Sequence, residues 1–486
     1  MSQYYIGIDL GTSAVKLLLL DGEGAIAKIV SRDYPLSFPH PGWSEQAPED
    51  WYEKTVDGLK ELLSDIDPKD VEGLSFGGQM HGLVILDAED NVIRPAILWN
   101  DGRTQEQTEY LNNVVGEDVL ASATGNIAFA GFTAPKILWV KENEPENFAK
   151  IAKIMLPKDY LAYRLTGTFS TEYSDASGML LLDVQKKQWS DIMLKICGIE
   201  KTQLPQLFES YDEISCVKKE IADALGLSDH VRVFAGAADN PAAALGTGTV
   251  GEGRCNLSLG TSGTLVISTE HFVDPGNHAI HSFCHADGRW YLMACMLSSA
   301  SCNKWFMEDI LDDADYAKAQ EAITKLGENH VFFLPYLMGE RCPHNDTAIR
   351  AMFYGMSLDT TKADMVQAVL EGVAFSFRDA LEIAKASGIS LTSTKICGGG
   401  AKSPLWRKIL ANVLDLKIEV IESEQGPGLG GALLAMAGCT GKPVAALSEA
   451  AVKVVETIEP EEELVRKYDE KYRIYREFYP ALKGIM

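Results

Sequence analysis

No stretch of the 486-residue chain runs to the ~18 consecutive apolar residues that a membrane-spanning helix needs. The first residues, Met1-Ser2-Gln3-Tyr4-Tyr5, show no basic segment and no apolar leader before the first predicted strand. Both absences lead to the expectation of a cytoplasmic protein without a membrane partner. Cysteine is sparse and unpatterned: nine residues, an odd number, with no CxxC and no Cys/His ligand spacing. A structural zinc site and a disulfide framework are therefore not expected, and reduced thiols are. Positive charge is in deficit, with 44 Lys and Arg against 69 Asp and Glu. A net charge of −25 excludes a nucleic-acid surface, which needs clustered cations, but says nothing against small anions held by backbone amides. What remains is an ordinary globular composition, 46% hydrophobic and 23% charged, in a chain too long for one core, so two domains are expected.

Two short stretches carry most of the information. Residues 6–21 form an apolar run, a tight polar turn and a second apolar run, which reads as a strand hairpin. At its tip stand Asp9, Gly11, Thr12 and Ser13. Gly11 lets a ligand approach the backbone, and the amides and hydroxyls can face phosphate oxygens. Asp9 sits where a carboxylate can hold hydrated Mg2+ beside them. An ordinary hairpin with a polar tip would read the same way. The second stretch shifts the balance, because Leu10-Gly11-Thr12-Ser13 recurs as Leu259-Gly260-Thr261-Ser262, half a chain further on and again between apolar runs. Such a repeat suggests two similarly built domains, each presenting a phosphate hairpin to a shared cleft. Ser258 stands in the place of Asp9, so only the first hairpin is expected to handle a metal.

Between and after the hairpins several segments stand out. In residues 42–46, Trp43 is either a core plug or a stacking platform for a sugar. A helix is predicted from Pro48, with Trp51, Thr55, Leu59 and Leu62 on its buried face. The strand at 71–75 runs into Gly78-Gln79-Met80-His81-Gly82, polar groups on a bendable backbone at a strand end, where open α/β sheets bind ligands. A turn with a hydrogen-bonded His is the alternative. Asp101 and Arg103 read first as a structural ion pair, and residues 171–179 as a polar wall of the cleft. Residues 188–229 read as helical and acidic. The strand at 231–235 leads to Asp239-Asn240-Pro241 and an Ala-rich helix, whose N-terminus favours an anionic Asp239. An N-cap role fits equally. His278, His281 and His285 follow strand alternation, and no metal is assigned to them. A long amphipathic helix is predicted over about 362–387. The strand at 394–397 then enters Gly398-Gly399-Gly400-Ala401 before a helix, a loop that lets a nucleotide lie against backbone. Residues 426–431 lead into an Ala/Leu-rich buried helix, and 459–478 read as a charged, solvated one.

These residues resemble the FGGY carbohydrate kinases of the actin-like ATPase superfamily, essentially end to end. The likeness is carried by Asp9-Leu10-Gly11-Thr12-Ser13 and by residues 132–139, 355–372 and 398–401. Residues 42–46, 78–82 and 97–103 carry the likeness to the family's ketopentose kinases, and Met80-His81 replaces the Arg-Glu pair of its glycerol kinases. The resemblance implies an α/β fold of two actin-like (ribonuclease H-like) domains with a central cleft. It divides the chain into residues 1–246 with the sugar site and first hairpin, 247–440 with the nucleotide site, and a helical segment, 441–486, packed on both. It implies ATP and Mg2+ as cofactors, Asp239 as catalytic base and Asp9 as the residue near the metal. Met80, His81, Asp239 and Asn240 would touch the sugar. Gly11, Thr12, Ser13, Gly260, Thr261, Gly399, Gly400 and Ala401 would contact the nucleotide, while Lys16 would reach the γ-phosphate or pair elsewhere. The implied reaction is phosphoryl transfer from ATP to a ketopentose, with O5 of D-xylulose as the expected acceptor. Ribulose, gluconate or another polyol are the alternatives, as is an actin-like ATPase without a small substrate. The Gln79–His81 turn and Asp239-Asn240 argue against the last. Partners are a sugar and ATP, with a homodimer as the one assembly considered. Residues 424–430 depart from the Ala/Tyr-containing sequence more usual in relatives.

Overall fold

The computed structural model describes residues 3–276, 278–422 and 425–485, so Glu424 of the divergent segment lies outside the described residues. The first hairpin builds the first sheet. Tyr4–Leu10 pairs antiparallel with Ala14–Asp21, which pairs antiparallel with Ile26–Asp33. On its other side Tyr4–Leu10 runs parallel to Val71–Gly78, which runs parallel to Arg232–Phe234 and Ala237–Ala238; Glu213–Cys216 closes that edge. Side chains alternate across the sheet. Ile6, Ile8, Leu10, Val15, Leu17 and Leu19 pack with Trp51, Leu59 and Leu62 of the helix Pro48–Leu62. Tyr5, Leu18 and Leu20 face the other way, onto Leu429, Leu433 and Met436 of the helix Gly426–Thr440. That helix is apolar nearly all round, and Gly428 to Ala437 are all buried. The approach is closest at Gly7, where a Cβ would overlap Gly428 O and stand 2.5 Å from Ala432 N.

The second sheet repeats the plan. Cys255–Leu259 and Gly263–Thr269 form its hairpin, with Trp290–Met296 and then His281–Cys284 added antiparallel. Ser393–Cys397 and Lys417–Ile421 lie parallel on the other side, and Val454–Ile458 closes the edge. The second hairpin is the tighter one. Leu259 pairs with Gly263, whereas its counterpart Leu10 pairs with Val15 across one more turn residue. Lys362–Ala386 is the long amphipathic helix, started by a capping box in which Thr361 Oγ1 accepts from Asp364 N (3.2 Å) and Asp364 accepts from Thr361 N (2.8 Å).

Two expectations need correction. The tail is not merely a solvated helix: in Glu462–Tyr475, Tyr468, Tyr472 and Tyr475 form an i, i+4, i+7 stripe buried in the second core. Beside them Lys471 Nζ pairs with Glu371 (2.5 Å) and donates to Asn329 O (2.6 Å). Residues 188–229 are mixed rather than helical, with helices Asp191–Cys197 and Lys219–Leu225 alternating with strands Gln206–Phe208 and Glu213–Cys216. Gly198 and Gly226, both left-handed, end those two helices.

The helix Asp239–Gly246 leads from the first sheet toward the second hairpin. It lies so close to Gly426–Thr440 that a Cβ on Gly430 would overlap Ala242 O, and one on Gly246 would stand 2.6 Å from Gly426 O. The helix that the sequence reading grouped with the second unit thus packs on the first sheet and on this crossing helix. Among the described residues no helix is long and apolar enough to cross a membrane, and no group of three or more His, Cys, Asp or Glu is placed to hold a metal ion.

Candidate active site

Three parallel strands end at one edge of the first sheet. Asp9 is in register with Gly77, and Gly77 with Ala237; Leu10, Gly78 and Ala238 form the next rung. Chain continuation from that rung places Gly11, Gln79 and Asp239 side by side along the edge. Two strand spacings, about 10 Å across the sheet, separate the strand of Asp9 from the strand that leads to Asp239. Asp9 shares its face with its cross-strand partner Lys16, on the side of Gly428.

The hairpin tip is braced from four directions. Tyr34 OH donates to Gly11 O, and Gln46 Nε2 donates to Thr12 O (2.7 Å). Gln79 N donates to Leu10 O (2.9 Å), and Trp99 Nε1 to Thr12 Oγ1 (2.9 Å). Gln46 Oε1 is in turn held by Trp51 Nε1 (3.1 Å) and Gln79 Nε2 (3.2 Å). Asp101 and Arg103 are a buried pair at 2.7 Å, and Asp101 accepts from Ser44 N (2.6 Å). Arg103 covers the ring of Trp43 at 3.7 Å, and the ring meets Trp139 edge-to-face, so this half-buried tryptophan is packed into the protein.

His81 sits in a left-handed conformation, φ 68°, which turns its ring back toward Gly178. Its Nδ1 lies 2.7 Å from Gly178 O. A carbonyl only accepts, so the proton is on Nδ1 and Nε2 is left as an acceptor. Burial, then Lys136 and Arg341, push the His81 pKa down to about 3, so the ring is neutral. Lys136 Nζ holds the bend by donating to His81 O (2.9 Å) and Gly131 O (2.5 Å). Met80 is buried, and its sulfur takes Asn240 Nδ2 at 3.6 Å.

Asp239 accepts from Asn240 N (2.7 Å) and Nδ2 (3.0 Å). Burial lifts its pKa to about 7, the negative charge of Asp9 adds to the rise, and the two Asn240 bonds oppose it. Burial likewise lifts Asp9 to about 6, against the pull of Lys16. With the charge of Asp9 raising Asp239, this edge is a place where a cation is favoured. Below them the segment at 172–178 locks the floor. Ser174 Oγ accepts from Ala238 N (3.1 Å), and Glu172 accepts from Ser174 N (2.6 Å) and Asp175 N (2.9 Å). Lys158, fully buried, balances Asp159 (2.7 Å), Glu172 and Asp175 (both 3.6 Å). Neither Tyr34 nor Lys158 is marked as special by its local sequence.

The second unit carries a cavity of about 990 Å3 whose walls include Gly260, Thr261, Gly399 and Gly400. Ser403, which follows the glycine loop, also lines it, as do Asn303, Tyr316, Gln320 and Trp406, which no motif marks. Asn303 Oδ1 is buried without a partner, and Ser403 Oγ donates to Gln320 Oε1 (2.6 Å). Ser299 N donates to Thr261 O (3.0 Å) and Ala300 N to Gly260 O (2.8 Å), fixing the turn. Gly398 has φ 90°, and its Cβ position lies 2.7 Å from Leu259 O, so the glycine loop presses on the second hairpin. Ala401 is buried in the core and does not line the cavity; Gly11, Thr12 and Ser13 are also not among its walls.

Comparison with known proteins agrees with this arrangement. Residues 4–246 match the model of the N-terminal domain of the FGGY family of carbohydrate kinases, and 255–439 that of its C-terminal domain. A xylulose kinase of Escherichia coli K12 is 42% identical over 89% of both chains. The crystal structure of a xyloylose kinase from Brucella ovis superposes with a TM-score of 0.95 at 39% identity, covering 100% of both chains. A gluconate kinase from Lactobacillus acidophilus reaches 0.94 at 26% identity, covering 100% of this chain and 99% of that one.

Proposed function

The chain belongs to the FGGY family of carbohydrate kinases, and from that premise we propose that it transfers the γ-phosphoryl group of ATP to D-xylulose, giving D-xylulose 5-phosphate. The observation that carries the reading is the pairing of Asp239 with Asp9 on one sheet edge, beside Met80, His81 and Asn240. Phosphoryl transfer is mostly positioning and charge stabilisation. Asp239, with a pKa of about 7, is poised to accept the proton of the attacking hydroxyl near neutral pH. His81 Nε2 offers an acceptor to another sugar hydroxyl, and the Asn240 amide, already on Asp239, keeps that carboxylate aimed.

Adenine and ribose fit the cavity beside Gly399, Gly400 and Trp406, with the phosphates running past Gly260 and Thr261 toward Gly11, Thr12 and Ser13. Asp9 suits Mg2+ carried in with the nucleotide: it is a buried carboxylate on a phosphate hairpin, and a cation would offset the burial that raises its pKa to about 6. Mg2+ there would neutralise phosphate charge as transfer proceeds. The cytoplasm is the compartment we assign, with a sugar and ATP as partners; a homodimer is an assembly to test by light scattering.

Replacing Asp239 with Ala tests the reading. Sugar-dependent ADP release should fall by about 10²- to 10⁴-fold while calorimetry still detects ATP binding. Near-normal turnover in Asp239→Ala would overturn the assignment. The likeness to a gluconate kinase favours a second reading, in which the acceptor is an aldonate. A sugar panel separates the two.

A further inference from the structure

The acceptor side of the cleft is not built by the first unit alone. His81 stacks on Phe132 (4.7 Å), and Phe132 meets His281 at 5.4 Å. His281 in turn stacks on Phe283 (5.2 Å), and Phe129 stands edge-on to it (4.9 Å). His281 and Phe283 belong to the edge strand of the second sheet. Asn126 of the first unit clamps that strand, accepting from Ser282 N (3.2 Å) and donating to Ser282 O (2.8 Å).

One cation stands over these rings: the guanidinium of Arg341, 4.9 Å from the centre of Phe129. Its loop is fixed by hydrogen bonds on both sides of it. The buried Glu340 carboxylate accepts from Arg341 N (2.8 Å) and Leu297 N (2.9 Å), and Cys342 N donates to Cys295 O (3.1 Å). Arg94, Arg103 and Arg378 each meet a carboxylate, at distances of 2.7 Å or less. Among the described residues Arg341 makes no ion pair, although it is half-buried, and its side chain hydrogen-bonds the Cys295 thiol. A half-buried guanidinium on a fixed loop, with a planar fork of donors that meets a thiol but no carboxylate, is arranged for an oxygen-rich ligand.

Resting on the function proposed above, we propose that Arg341 is a substrate-binding residue, supplied by the second unit, whose fork donates to two neighbouring oxygens of the acceptor sugar. The sugar site is then composite, with His81 and Asn240 from one unit and Arg341 from the other. Burial holds the pKa of both His81 and His281 down, and the charge of Arg341 adds to it at each.

The test uses the full chain with Arg341→Ala and Arg341→Lys. Binding of D-xylulose without nucleotide is followed by calorimetry, and KM is measured for sugar and ATP separately. Arg341→Ala should weaken sugar binding about tenfold or more, as expected for losing hydrogen bonds to a charged group. Arg341→Lys should fall between, the KM for ATP should move less than twofold, and added guanidinium ion should restore part of the loss in Arg341→Ala. Unchanged sugar affinity in Arg341→Ala overturns the proposal. So does an equal loss for sugar and ATP without guanidinium rescue, which marks a structural role. A wild type that takes another polyol in place of D-xylulose overturns the substrate reading alone, and the same comparison made with that polyol still decides on Arg341.

Discussion

Replacing Asp239 with Asn separates the cost of the site from its chemistry. The carboxyl is lifted from 3.8 to about 7, first by burial and then by Asp9. At about 1.4 kcal/mol per pKa unit, that gap has an upper bound of about 4 kcal/mol. Asp239 is only part-buried at the cleft and water relieves some of the penalty, so about 2 kcal/mol is expected. The sign follows from linkage: the folded pKa lies above the unfolded one, so stability is complete below pH 4, falls as pH rises to about 7, and is flat beyond. Asn carries no charge and keeps the acceptor oxygen for Asn240 N. Asp239→Asn should therefore melt with the wild type at pH 4 and several degrees above it at pH 8, since each kcal/mol is worth about 2–4 °C in a unit of this size. Thermal melts at both pH values read this directly, and sugar-dependent turnover should be lost at both. A difference in Tm that ignores pH, or a variant less stable than wild type at pH 8, would refute the electrostatic argument.

Gly7→Ala should be hard to fold, because its Cβ overlaps Gly428 O on the helix that covers the first sheet; overpacking of this kind costs about 1–3 kcal/mol or more, and solubility and Tm report it. Lys471→Met leaves Glu371 buried without its cation and should cost about 3–5 kcal/mol in a urea melt, while KM for sugar and ATP stays unchanged in the protein that remains folded.

Much of the architecture was legible because it repeats. The tetrapeptide Leu-Gly-Thr-Ser, written twice between apolar runs, marks both hairpins, and the actin-like two-domain fold is built around them. Asp9, Met80, His81 and Asp239 stand out in the sequence as candidates because each sits at a strand end beside glycine or small residues, and the sheet brings those ends to one edge. The places of Arg341, Lys158, Asn303 and Gln320 were not legible. Each is a single side chain in an unremarkable local sequence, and its meaning comes from what packs opposite. The tail misled for a related reason. Its charges outnumber its tyrosines, but Tyr468, Tyr472 and Tyr475 share one helix face, and that face decides where the helix goes. Likewise nothing local to the apolar residues 426–440 says that they cover the first sheet.

The most direct test of the central claim is ADP release measured across a panel of D-xylulose, D-ribulose, gluconate, glycerol and no acceptor, scored by kcat/KM. The account predicts that D-xylulose gives the highest value and that ATP turns over slowly without a sugar. ATP hydrolysis at the same rate with every acceptor and with none would contradict it.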